Sequence, residues 1–344
     1  MYDIFSKKNE DPEKIIYHCL KNNSFLHENL YLKKISNHNF GFFLKEKIQK
    51  NLKVMSVPKK LFVSKEIFTN YLLDKKFDYV DNELLDTFVR TLPKIDYFKD
   101  NHILFLSENE KKIALSFFNE GTPLKKEIKK SFEQFDLLSD HNKYIDSIFK
   151  SRSFKIDNKK YLLPMLDLVN FEYTSEGPLI GEENVFFKSN RIIDKDEEFF
   201  QKYNTKTSPI FFFINYGFFP EKYFSSFIPK NFLLIPSSIS EKEYLGNNWI
   251  LNDQNKISNK NNIIFENLNI PEEFIKLLDI FKTNNKKNYT KEIFSLLINE
   301  VNLDNVSKYL EREKKNQLLI MFAKSVNQHH QNILQIYNKI NQIY

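Results

Sequence analysis

Arginine is scarce in this chain of 344 residues, where almost all of the 51 basic side chains are lysines. Arg152 therefore stands where drift toward A- and T-rich codons favours lysine. A guanidinium grips a carboxylate through two parallel hydrogen bonds, which an ammonium cannot do. Arg152 is thus a candidate for holding a carboxylate-bearing ligand; a structural ion pair with Asp167 or Asp146 is the competing reading. Tyr203, Tyr216 and Phe218 offer ring faces that attract cations, although in a chain with 35 phenylalanines and 17 tyrosines such rings also read as core. Asp167 and Asn170 place a carboxylate and a carboxamide three residues apart, a pair that in isolation is an ordinary turn.

Several chemistries are excluded or disfavoured by what is missing. There are six glycines and no Gly-x-Gly-x-x-Gly, which removes the usual dinucleotide fingerprint and its methyltransferase relatives. No Gly-Lys-Ser phosphate loop, His-Glu-x-x-His or Gly-x-Ser-x-Gly occurs either. His329 and His330 are adjacent, so they point to different faces of a helix, and no metal site is expected. Cys19 is the single cysteine; it permits no intramolecular disulfide and reads as a small buried thiol. The net charge of +6 comes from lysines scattered among acids, a poor match to a nucleic-acid surface. Residues 1–10 are charged rather than apolar, unlike a signal peptide, and the longest apolar runs fall short of the ~20 residues of a membrane span. A cytoplasmic protein is expected, or a nuclear one if the source is eukaryotic.

Apolar periodicity supplies the elements that position these residues. Residues 14–30 read as a helix. Phe40-Gly41-Phe42-Phe43-Leu44 and Val54-Met55-Ser56-Val57 read as strands, the second closed by Pro58. Residues 64–150 are mostly helical in pattern, with a break at Gly121-Thr122-Pro123. Short strand-like and loop-like pieces return over residues 161–220, and residues 253–262 read as a polar loop or domain boundary. The last eighty or so residues are helical, with Leu319, Phe322, Val326, Ile333, Tyr337 and Ile340 on one stripe and His330 inside it.

Four segments, in order, resemble the SET-domain methyltransferases related to the Rubisco large-subunit methyltransferase. Asn39-Phe40-Gly41-Phe42-Phe43, followed by Val57-Pro58-Lys59-Lys60-Leu61, is similar to that family's opening Gly-x-Gly hairpin and the strand after it. Ser151-Arg152-Ser153-Phe154 resembles its Ser-Arg-x-Phe run. Leu163-Pro164-Met165-Leu166-Asp167-Leu168-Val169-Asn170-Phe171 resembles its Val-Pro-Met-x-Asp-x-x-Asn-His. Tyr203, thirteen residues before Tyr216-Gly217-Phe218, is similar to its Tyr…Tyr-Gly-Phe spacing. The resemblance covers residues 31–220, and the C-terminal region resembles the family's helical domain in length and pattern only.

The resemblance implies an α+β fold: a SET-type β-rich core with pseudoknot-like threading, a helical insert, and a helical C-terminal substrate-binding domain. Along the chain this places the N-terminal helix and first part of the core at 1–79 and the insert at 80–150. The second part of the core, with the catalytic motifs, falls at 151–235, and the C-terminal domain at 236–344. The implied cofactor is S-adenosylmethionine, and the implied reaction is methyl transfer to a lysine of a protein substrate. Tyr203 is then the catalytic tyrosine. His38, Asn39, Phe40, Gly41, Arg152, Asn170, Phe171 and Phe218 become cofactor-binding residues, and Ser151, Asp167 and Tyr216 substrate-binding ones. Four positions depart from the family pattern. Phe171 replaces a histidine, Asn39 a glycine, Asn204 the usual glycine or aspartate, and Ile156 a basic residue. Three further readings stay open: a SET-like interaction module with weak cofactor binding, an unrelated helical interaction protein, and a protein-histidine methyltransferase, since the related family includes a histidine-specific member.

Overall fold

The structure is a computed structural model. It describes residues 12–36, 39–172, 175–203, 208–218, 226–228, 234–236, 249–251, 256–259, 263–279 and 283–343. Helix α1 (Glu13–Lys21) precedes strands β1 (Phe25–Leu26), β2 (Leu30–Ser36), β3 (Asn39–Leu44), β4 (Lys53–Pro58) and β5 (Val63–Ser64). Helices α2 (Lys65–Leu72), α3 (Asn82–Thr91), α4 (Ile95–Asn101), α5 (Glu108–Ser116), α6 (Pro123–Asp136) and α7 (Asp140–Arg152) follow. Next come β6 (Phe154–Ile156), β7 (Lys159–Leu162), β8 (Asn170–Phe171), β9 (Leu179–Ile180), β10 (Asn184–Lys188) and β11 (Glu198–Gln201). After α8 (Pro209–Tyr216) lie the short strands β12 (Ser226–Ile228), β13 (Leu234–Pro236), β14 (Trp249–Leu251), β15 (Lys256–Asn259) and β16 (Ile263–Phe265). The chain finishes in α9 (Glu272–Asp279), α10 (Thr283–Ile298), α11 (Leu303–Arg312) and α12 (Gln317–Ile343).

The fold departs from the sequence expectations in three places, one of them α8 within the stretch 161–220 read as strand-like and loop-like, which Ser208 caps, Pro209 opens and Gly217 ends. The helix expected over residues 14–30 stops at Lys21. Asn23 takes φ +69°, a left-handed turn that asparagine tolerates better than most residues, and Phe25 and Leu26 then pair with Ser56 and Met55 of β4. The polar stretch 253–262 is not simply a loop: Lys256–Asn259 forms β15, the middle strand of a small sheet, with Ile257 opposite Ile235 and Leu251.

The chain divides into two compact units, each built from separated segments. The first comprises residues 1–100 and 138–203. Its sheets run β1-β4-β10-β9, β2-β3-β11-β8 and β5-β7-β6. Strand β4 lies inside the first of these, and Val54, Met55 and Val57 are fully buried. Side-chain caps start the helices: Ser64 accepts from Ile67 N, Asp81 from Leu84 N and Ser139 from Asn142 N. Asp81 also accepts from Asn22 Nδ2 at 2.6 Å and lies 3.4 Å from His18 Nδ1, which ties α1 to the start of α3. His18, Asp81 and Glu83 come close enough to share a cation. The Asp81 oxygens are already committed to Leu84 N and Asn22, so the group reads as a tether.

The second unit comprises residues 101–137 and 204–344. Helices α5 and α6 are knitted to its C-terminal part: Asn302 N donates to Phe117 O, Leu124 N to Glu300 Oε1, and Phe117 packs against Tyr309 and Phe322. Residues 101–137, within the stretch read as a helical insert, thus cluster with the C-terminal helices. Thr122 caps α6 and Pro123 opens it, which realises the expected break. The expected stripe on α12 is buried at Leu319, Phe322, Val326, Ile333 and Ile340, and Tyr337 stacks on Phe294. His329 and His330 are both buried, because this helix is covered on more than one face. No helix among the described residues is long and apolar enough to cross a membrane.

Candidate functional site

Strand β11 is the organising element of the site. It pairs antiparallel with β3, placing Glu198 opposite Phe43, and parallel with β8, placing Phe200 opposite Asn170 and Gln201 opposite Phe171. Along β11, Phe199 and Gln201 are buried while Glu198 and Phe200 are half-buried, the alternation of a strand with one face on the core. The Gln201 carboxamide donates to Val169 O at 2.9 Å, and Glu172 N donates to Gln201 O. The segment carrying Asn170 and the segment leading to Tyr203 are therefore locked side by side.

Asn170 sits at the centre. Its Nδ2 donates to Phe40 O at 2.9 Å and to Glu198 Oε1 at 2.6 Å. Gly41 lies beneath both groups: a Cβ there would come 2.8 Å from Glu198 Cδ and 3.0 Å from Asn170 Nδ2, inside ordinary van der Waals contact. The backbone of Gly41 imposes no special φ; its glycine is dictated by the side chains over it. Burial pushes the Glu198 carboxyl above its usual range, and the bond from Asn170 opposes that shift.

Arg152, at the end of α7, pairs with Asp167: Nη1 lies 2.8 Å from Oδ2, with 31% of the arginine side chain and 7% of the aspartate side chain accessible. Burial alone would lower the Arg152 pKa, but Asp167, Tyr203 and Tyr97 outweigh it and the net shift is upward. Burial raises the Asp167 pKa against the pull of the guanidinium. Asp167 is held by an unusual backbone: fully buried Met165 adopts φ 69°, ψ −49° ahead of the short helix Leu166–Leu168, a strained conformation for a side chain with a Cβ. The Phe171 and Tyr203 rings lie 5.1 Å apart at 50°.

One unit therefore gathers Phe40, Gly41, Arg152, Asp167, Asn170, Phe171 and Tyr203. Ser151 is adjacent in sequence, but its hydroxyl donates to Ser147 O within its own helix. Tyr216 and Phe218 lie in the second unit. They flank Gly217, which ends α8 at φ 74°, and form an aromatic group with Phe212 at centroid distances of 4.6 and 5.3 Å. His38 and Asn204 lie outside the described residues, and Asn39 contributes the first backbone position of β3. Cys19 is fully buried and burial pushes its thiol up to about 12, far from nucleophilic.

Sequence reasoning missed Glu198 and Tyr97. Glu198 was legible in principle as a charged residue at the start of the strand-like run Glu-Phe-Phe-Gln just before Tyr203. Tyr97 carried no signal, because only folding brings it near Arg152.

No protein-family model matches the chain, and no curated protein sequence matches it. Solved structures do. The SET domain of LSMT bound to lysine and AdoHcy aligns with a TM-score of 0.60 at 13% identity, over 96% of this chain and 90% of that one. Rubisco LSMT bound to AdoMet aligns with a TM-score of 0.59 at 12% identity, over 97% and 92%. The fold is SET-type and Rubisco LSMT-like. The SET-type fold accounts for the mixed α+β architecture and its helical C-terminal region. Within it, Arg152, Asn170 and Tyr203 come from three sequence-distant segments of a single unit.

Proposed function

We propose that this chain is an S-adenosylmethionine-dependent methyltransferase acting on a lysine amine of a protein substrate. The observation that carries the reading is the convergence of Arg152–Asp167, Asn170 over Gly41, and Phe171–Tyr203 in one unit of SET-type fold. The solved structures of that fold include ones bound to AdoMet, AdoHcy and lysine. The donor set fits the cofactor's amino-acid end. Arg152 spends Nη1 on Asp167 and keeps further N–H donors for a carboxylate, and a guanidinium so oriented can bind one bidentately.

When bound, S-adenosylmethionine supplies an electrophilic methyl group. The protein's part is to hold and align. Asp167 fixes the guanidinium of Arg152, so that the carboxylate end is met by a preset group. Asn170 and the loop backbone, with Phe40 and Gly41, hold the rest of that end. The Phe171 and Tyr203 ring faces attract the sulfonium of the cofactor. A lysine amine is protonated in water, with a pKa near 10.4. Desolvation of that ammonium at the site releases its proton to solvent and favours the neutral nucleophile. The Tyr203 hydroxyl orients that nitrogen and stabilises the charge that moves onto it. Tyr216 is assigned the lysine stem and Phe218 the cofactor, both from the sequence resemblance.

Isothermal titration of the full chain with S-adenosylmethionine tests the cofactor. Absence of measurable heat would leave the interaction-module reading. Incubating a host lysate with labelled cofactor and locating the labelled residue by mass spectrometry tests the acceptor: methyl-lysine supports the reading, and methyl-histidine moves the activity to the histidine class.

A further inference from the structure

A primary carboxamide offers two N–H donors and one carbonyl acceptor. In Asn170 both donors are spent inside the protein, on Phe40 O at 2.9 Å and Glu198 Oε1 at 2.6 Å. The opposite amide orientation would turn Oδ1 toward two acceptors at those distances, so the network fixes which end points where. What Asn170 presents to a ligand is its carbonyl oxygen, and Asn170 is only partly buried. An acceptor meets a donor. The amino-acid end of S-adenosylmethionine carries a carboxylate, suited to Arg152, and an ammonium, suited to an oxygen.

We propose that Glu198 is a positioning residue which, with the Phe40 carbonyl, holds the Asn170 amide so that its Oδ1 receives the cofactor's α-ammonium. The proposal rests on the S-adenosylmethionine reading above, in which Arg152 and Asn170 meet the cofactor's amino-acid end, and adds to it that Glu198 acts through Asn170. The sheet order explains why Glu198 can do this. Strand β11 lies between β3 and β8, so one side chain from it reaches the backbone of β3 and the side chain of β8 together. The same placement explains Gly41, whose missing Cβ leaves room for the carboxylate. The Glu198 carboxylate behind Asn170 adds long-range attraction for the ammonium.

The test uses full-length protein and two probes, S-adenosylhomocysteine and 5′-methylthioadenosine, which lacks the amino-acid end. Glu198→Ala frees the Asn170 amide to turn. It is expected to weaken S-adenosylhomocysteine roughly tenfold, the scale of one hydrogen bond to a charged group, while leaving 5′-methylthioadenosine within about twofold. Glu198→Gln keeps an acceptor oxygen at the same position and is expected to restore most of the lost affinity. Three results would overturn the proposal: equal losses for both probes, no loss for either, or a Gln variant as weak as Ala. Tight binding of S-adenosylhomocysteine by the wild type alongside any of these leaves the cofactor reading standing. Failure of the wild type to bind either probe removes both.

Discussion

Replacing Gly41 by alanine inserts a methyl group beneath the Asn170–Glu198 pair, and the outcome depends on whether Glu198 is there. In the wild type the new Cβ would lie 2.8 Å from Glu198 Cδ and 3.0 Å from Asn170 Nδ2, so the carboxylate has to swing away. Overpacking of this kind costs about 1–3 kcal/mol. Losing glycine's extra chain entropy in a strand offsets about 0.5–1 kcal/mol of that. The expected net destabilisation is about 1–2 kcal/mol, because Glu198 is half-buried and its displaced carboxylate is rehydrated. In a Glu198→Ala background the two nearest clashes, both with the carboxylate, are gone and Asn170 Nδ2 is the next nearest atom, so the same methyl should be close to neutral. The four proteins of this cycle can be compared by equilibrium urea unfolding followed by circular dichroism. A coupling of about 1–2 kcal/mol is expected, as for residues in contact. Additivity within about 0.5 kcal/mol would refute the placement of Glu198 over Gly41, and with it the explanation of that glycine.

Tyr203→Phe should lower kcat about 100-fold, the scale of one lost transition-state hydrogen bond, with cofactor affinity unchanged by titration calorimetry; undiminished turnover would sink the assigned role. Asp167→Ala leaves Arg152 with a partly buried, unpartnered charge. Such a loss costs about 3–5 kcal/mol when burial is complete; with 31% of the arginine side chain accessible about 1–3 kcal/mol is expected in urea unfolding, together with weaker cofactor binding. Glu300 gives a pH prediction for the second unit. Its carboxyl accepts from Leu124 N, and burial pushes its pKa up to about 7 from 4.5. Between those values the unfolded chain releases this proton while the folded one keeps it, so stability falls as pH rises from about 4.5 to 7 and then levels. The penalty at higher pH is on the order of 3 kcal/mol. Glu300→Gln should raise Tm at pH 8 and flatten that slope; an unchanged slope would mean that Glu300 is ionised in the folded protein.

Much of the site was legible because the segments that build it are short and strongly typed. An arginine in a lysine-biased chain stands out by residue type, whereas the Asp167–Asn170 turn and Tyr203 stand out only through the order and spacing of the four segments that resemble the SET family. The strands over residues 40–44 and 54–57 and the helices over 64–150 were likewise carried by apolar periodicity. What the sequence hid depended on tertiary pairing. Apolar spacing persists past Asn23, so residues 14–30 resemble one helix, whereas the left-handed turn that ends it is a property of the backbone. The polar composition of β15 resembles a loop, and only its backbone pairing with β13 and β14 makes it a strand. Glu198 acquires meaning only when β11 is set between β3 and β8. The clustering of residues 101–137 with the C-terminal helices depends on hydrogen bonds between residues 176 and 206 positions apart, Leu124 with Glu300 and Glu110 with Asn316.

That last feature bears on how the molecule is made. Phe117 and Phe118 are buried against Tyr309, Phe322 and Val301, so during translation two large rings emerge long before the surface that will cover them. Until the final helices leave the ribosome, this stretch is a sticky patch for holdase chaperones. A chain ended before residue 300 would keep that patch bare for good, and poor solubility of such truncations follows from the order in which the polypeptide is written.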